Sequence, residues 1–205
     1  MERNQLPVSV LTRTITRPHT RIYYPQLTGL SNQQAEQQIN KSLLQTVNGL
    51  IHEQERVQIQ GNTQMQGSYE IKTNERGIFS VTMSNFAYTP PMAHPMTFLG
   101  SLTADVQTGK IYNLRELFKP GSDYVRILSE NIKKQIQQRQ IPTLNPFTTI
   151  SPEQDFYVAD KSLVIYFQLY ELSPYYVGFP MFPISVYDIE AIVADNSPLS
   201  ILSAD

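Results

Sequence analysis

Few residues in this chain have the means to do chemistry, and they lie far apart. Four carboxylates, Asp105, Asp155, Asp160 and Glu171, stand near strand ends or turns. A glycoside hydrolase needs two carboxyl groups about 5–10 Å apart across a cleft, one to protonate the leaving oxygen and one to attack or to activate water. Nothing in the spacing of these four brings two of them together. Asp105 precedes a Thr-Gly turn and Asp160 a strand, where a short acidic side chain ordinarily ties up local backbone N–H groups. Glu171 stands where an apolar strand leaves its sheet and is the least ordinary of the four. The histidines are separated in the same way: His19 in an early turn, His52 near a helix end, His94 in a proline loop. His52 reads as surface on a glutamine-rich helix face. His94 reads first as a donor to a backbone carbonyl, with a binding role as the alternative. Nucleophile elbows, P-loops, dinucleotide fingerprints and HExxH helices are missing, and a chain without cysteine has no thiol catalysis, disulfide or Cys-ligated metal. The expectation is no catalytic residue, no metal site and no cofactor.

Binding chemistry is better represented. The stretch LSPYYVGFPMFP joins two apolar runs and is dense in tyrosine and proline, and TPPMAHPM holds three prolines in eight residues. Tyrosine offers a large ring and a polar tip at small entropy cost, and proline fixes the backbone before a partner arrives. The expected contact residues are Pro91, Met92 and His94 in one loop with Glu171, Pro174, Tyr175, Tyr176 and Phe179 in the other. The competing reading folds the aromatic rings back over the sheet. It is expected for the phenylalanines and left open for Tyr175 and Tyr176.

The elements that would hold these loops follow from periodicity. Two extended segments, 8–16 and 20–24, are rich in β-branched and aromatic residues and are interrupted at Pro18. Ser31 with Gln34 predicts a capping box, and Ala35, Ile39, Leu43, Val47, Leu50 and Ile51 predict an amphipathic helix over 32–55 with a solvated Gln-rich face. Residues 68–88 alternate with period two about a turn at 74–77, an antiparallel hairpin with one wet face and a bulge or strand end after Ser84. A third strand over FLGSLTADV ends in a turn, a short helix capped by Asn113 and Glu116 follows, and a second long helix starts at Ser122 or Asp123. A one-turn helix is expected at Ser151–Gln154 and a turn at Asp160-Lys161. Ser162 to Tyr170 has almost no polar phase and is expected at the centre of a sheet, with a last strand over 183–187. The fold class is α+β: a mostly antiparallel sheet packed by two main amphipathic helices, in two intimately joined subdomains. Their expected limits are 8–90 and 91–192, with 193–205 a peripheral tail.

Composition narrows the partners. Sixteen Lys+Arg against eighteen Asp+Glu give a net charge of -2, without the broad basic face that nucleic acid requires. No apolar run reaches the ~18 residues of a membrane span, and MERNQLPVSV lacks the basic-then-apolar pattern of an export signal.

Four stretches carry a resemblance: YYPQLTGLSNQQAEQQINKSL, GSYEIKTNERGIFSVTMSNFAY, TADVQTGKIYNLRELF and FYVADKSLVIYFQLYELSPYYVGFPMFPISVYDI. Together they resemble the paired domains of unknown function in the extracytoplasmic part of lysozyme-sensing anti-sigma factors of the RsiV type, and the non-catalytic part of peptidoglycan deacetylases. The resemblance implies a non-enzymatic binding module of the bacterial cell envelope, of Firmicute type, that recognises a muramidase-like (lysozyme-like) protein or cell-wall glycan. It implies a cell-envelope or extracellular location, and a monomer or weak homodimer is expected. Two other functions stay open on the residues alone. One is a glycan-directed hydrolase using Glu171 with Asp105 or Asp155, perhaps aided by His94; the other is a purely structural homodimer.

Overall fold

In the computed structural model, which describes residues 7–204, β1 (Ser9–Arg17) and β2 (Thr20–Thr28) form an antiparallel hairpin whose turn holds His19 at φ +58°. α1 (Gln33–Val57) then returns the chain to β3 (Gln64–Glu75), which pairs with β2 in parallel, a pairing that needs such a crossover. β4 (Ile78–Tyr88) and β5 (Met96–Asp105) complete a five-stranded sheet in the order β1-β2-β3-β4-β5. The α1 residues Ile39, Leu43 and Val47 form one core with Phe79, Val81 and Met83 of β4. That burial, at about 1.5–3 kcal/mol for each large apolar side chain, is what fixes the helix on the sheet.

Local details differ from the sequence reading in instructive ways. The helix cap is Asn32, whose Oδ1 accepts from the N–H groups of Gln34 and Ala35 at 3.1 Å each, one residue later than the Ser31 box. Asn40 of the same helix bonds both the N–H (2.8 Å) and the carbonyl (2.9 Å) of Leu27, beyond the point where β3 stops pairing with β2. The bulge falls in β3 between Ile71 and Thr73, and β4 runs in register past Ser84. Asn85 accordingly takes the core phase at 1% exposure while Phe86 faces outward. The hairpin's polar face is not wet throughout: Ser80, Thr82 and Thr103 are buried, and Ser80 and Thr103 satisfy each other's hydroxyls at 2.9 Å.

The chain forms two compact units, the first ending at Ile111 and the second starting at Tyr112. The expected limit at residue 90 falls inside the first, because β5 pairs with β4 from Ala87↔Met96 to Ile78↔Asp105 and belongs to its sheet.

The second unit opens with a 3-10 turn (Leu114–Leu117), where Glu116 accepts from the Asn113 N–H at 3.0 Å. α2 (Tyr124–Arg139) follows, then an irregular connector and an antiparallel sheet in the order β6-β7-β8. β6 (Phe156–Ala159), absent from the sequence reading, pairs with β7 (Ser162–Tyr166) through the turn at Asp160, φ +50°. β7 is central, but it ends at Tyr166 rather than Tyr170. β8 is Met181–Ser185, and Val186–Ile189 forms the short helix α3 where strand was expected. Ser151–Gln154 is a single turn closed by Gln154 N–H on Ser151 O. The C-terminal segment is no peripheral tail: in α4 (Pro198–Ser203), Leu199 and Leu202 are fully buried, and Ala194 N–H bonds Leu117 O at 2.9 Å.

Candidate functional site: an aromatic loop on a carboxamide anchor

Where β7 ends, Phe167 donates its N–H to Pro180 O at 3.1 Å, so the chain leaves and re-enters the sheet at one place. Between them the loop is tied down by side chains. Gln154, 6% exposed, donates from Nε2 to Tyr166 O and to Glu171 Oε1, both at 3.0 Å. Glu171 Oε2 accepts the Gln168 N–H at 2.6 Å, and Gln168 Nε2 donates to Asp155 Oδ2 at 2.8 Å. Two glutamines thus hold two carboxylates beneath the loop. Burial foremost raises the Asp155 carboxyl above the ordinary value; the Gln168 hydrogen bond opposes that, and the Glu171 charge adds to it.

Above this anchor, Leu169, Leu172 and Ser173 point inward and are buried, and Leu144 N–H bonds Leu172 O at 2.9 Å. Tyr170, held at φ +65°, packs against Tyr175 with ring centroids 5.6 Å apart and planes tilted by 32°. Pro174 leads into a 3-10 turn (Tyr175–Val177) stopped at Gly178, φ +78°. The turn aims Tyr176 outward at 79% exposure and leaves Tyr175 half-buried. Phe182 is fully buried and Phe179 half-buried. The product is a fixed, solvent-facing tyrosine cluster, Tyr170, Tyr175 and Tyr176. Glu171 is exposed, but both its oxygens hold loop backbone or Gln154, so its chemistry is spent on shape.

The remaining sequence candidates lie on other segments. Asp105 is 4% exposed and its Oδ1 accepts from Gln107 N–H (2.8 Å) and Thr108 N–H (3.0 Å), closing the turn after β5. His94 donates from Nδ1 to Pro95 O at 2.9 Å, as a backbone carbonyl only accepts. Pro91 is exposed and Met92 half-buried. His52 sits 3.6 Å from Glu55 on the helix surface. Asp105 and His94 belong to the first unit, Asp155 and Glu171 to the second. Among the described residues no group of three or more His, Cys, Asp or Glu is arranged to hold a metal ion, and no helix is long and apolar enough to cross a membrane.

Sequence reasoning missed Gln154, Gln168 and Tyr170. Tyr170 was hidden in a segment that reads as strand. The glutamines carry no signal beyond their closeness to a turn and a strand end.

Comparison with known proteins places this architecture. Residues 18–97 match the family described as Deacetylase PdaC, and residues 115–187 match the Protein of unknown function DUF3298. The chain thus resembles a PdaC-like domain followed by a DUF3298-type domain. It is 31% identical over 175 residues to Anti-sigma-V factor RsiV of Bacillus subtilis (strain 168), covering 78% of this chain and 60% of RsiV. The chain therefore spans about three-fifths of the length of that relative. Two crystal structures of DUF3298-family proteins share the fold. One, from Bacteroides fragilis, has a TM-score of 0.68 at 12% identity, over 97% of this chain and 96% of that one. The other, from Pseudomonas aeruginosa, has a TM-score of 0.63 at 13% identity, over 94% and 96%.

Proposed function

We infer that this chain is a non-enzymatic recognition module acting outside the cytoplasm, at the cell envelope. Its second unit presents Pro174, Tyr175, Tyr176 and Phe179 to a muramidase-like protein. Tyr176 carries this reading: a tyrosine 79% exposed on a loop fastened at Gln154, Gln168 and Gly178. A large ring held in place in the free protein loses little entropy on docking, and this is how interface anchors behave. Tyr170 extends the surface by packing against Tyr175. Glu171 serves as the loop's support. In the first unit, Pro91 and Met92 form a second, smaller contact, and His94 holds their loop through Pro95. The relationship to RsiV supports the choice of a protein partner.

Calorimetric titration with a lysozyme, and in parallel with soluble peptidoglycan fragments, tests this. Saturable binding to lysozyme that is lost in Tyr176→Ala supports the reading. Binding to the glycan alone would redirect it to the cell wall. Binding to neither at about 100 µM, the range of weak interfaces, would remove it.

A further inference from the structure

The first unit holds a groove that the tyrosine loop does not use. β2 and β3 pair in parallel only from Thr20↔Met65 to Ile22↔Gly67. Gly67 allows that approach, since a Cβ there would lie 2.4 Å from Ile22 Cγ2. Beyond Ile22 the strands are no longer paired, and an open cavity of about 850 Å³, within the range of small-ligand sites, lies over the paired stretch and the β1–β2 hairpin end beside it. Cross-strand register sets its floor: Arg21 is opposite Gln66, and Gln66 is opposite Phe86, in one row on the face that alternates with the core residues. Arg17 and His19 stand at the hairpin end, and Tyr23 lies one step further along β2 from Arg21.

The chemistry of this lining is one-sided. It contains two arginines and no aspartate or glutamate. Both arginines are exposed, and among the described residues neither guanidinium has a hydrogen-bond or ion-pair partner. The nearby carboxylate on β3, Glu70, is already paired with Lys72 at 2.7 Å. Unpaired guanidinium forks match carboxylates, and the exposed rings of Tyr23 and Phe86 give apolar faces for a sugar ring to lie on. The amide of Gln66 between Arg21 and Phe86 offers a donor and an acceptor to hydroxyls. Two strand spacings separate Arg21 from Phe86, about 10 Å, the span of a disaccharide.

We propose that this groove binds an acidic saccharide, with Arg17 and Arg21 on its carboxylates and Tyr23 and Phe86 against its rings. The inference stands on the first unit alone and does not depend on the tyrosine loop. The test uses ¹⁵N-labelled full chain titrated with tetragalacturonate, with neutral chitotetraose and with a hexaglutamate peptide. The expected result is saturable shifts at Arg21, Tyr23, Gln66 and Phe86 with tetragalacturonate only, weakening steeply as salt is raised. The Arg17→Gln/Arg21→Gln double variant should bind about tenfold more weakly with its spectrum otherwise intact, because both side chains are exposed. Tyr23→Ala should weaken the saccharide several-fold. The proposal is overturned by no shifts with tetragalacturonate at millimolar concentration, by equal binding of chitotetraose, by tighter binding of hexaglutamate, or by unchanged affinity in the double variant.

Discussion

Gln154 Nε2 sits 3.0 Å from Glu171 Oε1 and the same distance from Tyr166 O, so one buried carboxamide ties the end of β7 to the loop that follows it. Removing the carboxylate leaves a buried donor half-satisfied and frees the Gln168 N–H that Glu171 Oε2 accepts. Glu171→Ala should therefore lower the unfolding free energy by about 1–3 kcal/mol, the usual penalty for orphaning such groups. Glu171→Gln, which keeps one acceptor oxygen, should recover part of the loss. Urea unfolding of the two variants beside the parent measures both; an Ala variant as stable as the parent would show that the network is decorative.

Asp155 gives a pH dependence of opposite sign to that of a salt-bridged carboxylate. Its folded-state carboxyl titrates above the ordinary 3.8, chiefly because burial disfavours the charged form. The folded protein therefore holds this proton more tightly than the unfolded chain, and the contribution to stability falls as pH rises from 3.8 through the folded value. Asp155→Asn keeps an oxygen for Gln168 Nε2 and removes the buried charge. Its melting temperature should exceed the parent's at pH 7, and the difference should shrink as pH is lowered toward 4. Thermal melts across that range read the effect directly; a variant less stable than the parent at pH 7 would mean the charge-assisted bond to Gln168 outweighs burial.

These contacts show where the sequence was legible. Apolar period three-to-four gave α1 and α2, and period two gave β3, β4 and β5, because burial of one face acts on every turn or alternate residue. The unbroken run from Leu163 was correctly central. Its end at Tyr166 was not visible, since Phe167, Leu169 and Leu172 are buried from a loop as fully as they would be from a strand. Polar residues inside the structure were the other blind spot. Gln54, fully buried, lies in a helix whose glutamines read as solvated, yet its Nε2 bonds Asn85 O (2.7 Å) and Met96 O (2.9 Å) on two strands. A glutamine's environment is set by partners distant in sequence, so composition does not reveal it. For the tyrosines of the second loop the sequence left direction open, and the outward direction of Tyr176 comes from the 3-10 turn that Pro174 and Gly178 enclose.

Gly109 and Gly121 separate backbone strain from steric contact. Both adopt φ +78°, where a side chain costs about 1 kcal/mol. A Cβ on Gly121 would meet nothing within 4 Å, whereas one on Gly109 would lie 2.8 Å from Ala35 Cα at the start of α1. Gly121→Ala should cost about 1 kcal/mol, and Gly109→Ala about 2–4 kcal/mol because helix backbone must shift. Equal losses in chemical denaturation would mean that α1 gives way freely at its first turn.

The tyrosine cluster makes a graded prediction, because its members differ in what they hold. Tyr176 touches solvent over most of its surface, so Tyr176→Ala should leave the melting temperature unchanged while weakening partner binding about thirtyfold, the effect of losing a 2 kcal/mol anchor. Tyr170 packs against Tyr175 at 5.6 Å, and Tyr170→Ala should cost about 0.5–1.5 kcal/mol of local stability and release Tyr175. Its binding loss should then come with faster amide exchange at residues 174–178, which Tyr176→Ala should not show. Phe182 is fully buried and packs edge-on against Phe167, so Phe182→Ala should lower stability by about 3–5 kcal/mol. Calorimetry against the partner, with hydrogen exchange on each variant, distinguishes the three. If Tyr176→Ala binds like the parent while Tyr170→Ala does not, the contact surface lies on the Tyr170–Tyr175 pair, and Tyr176 is only exposed.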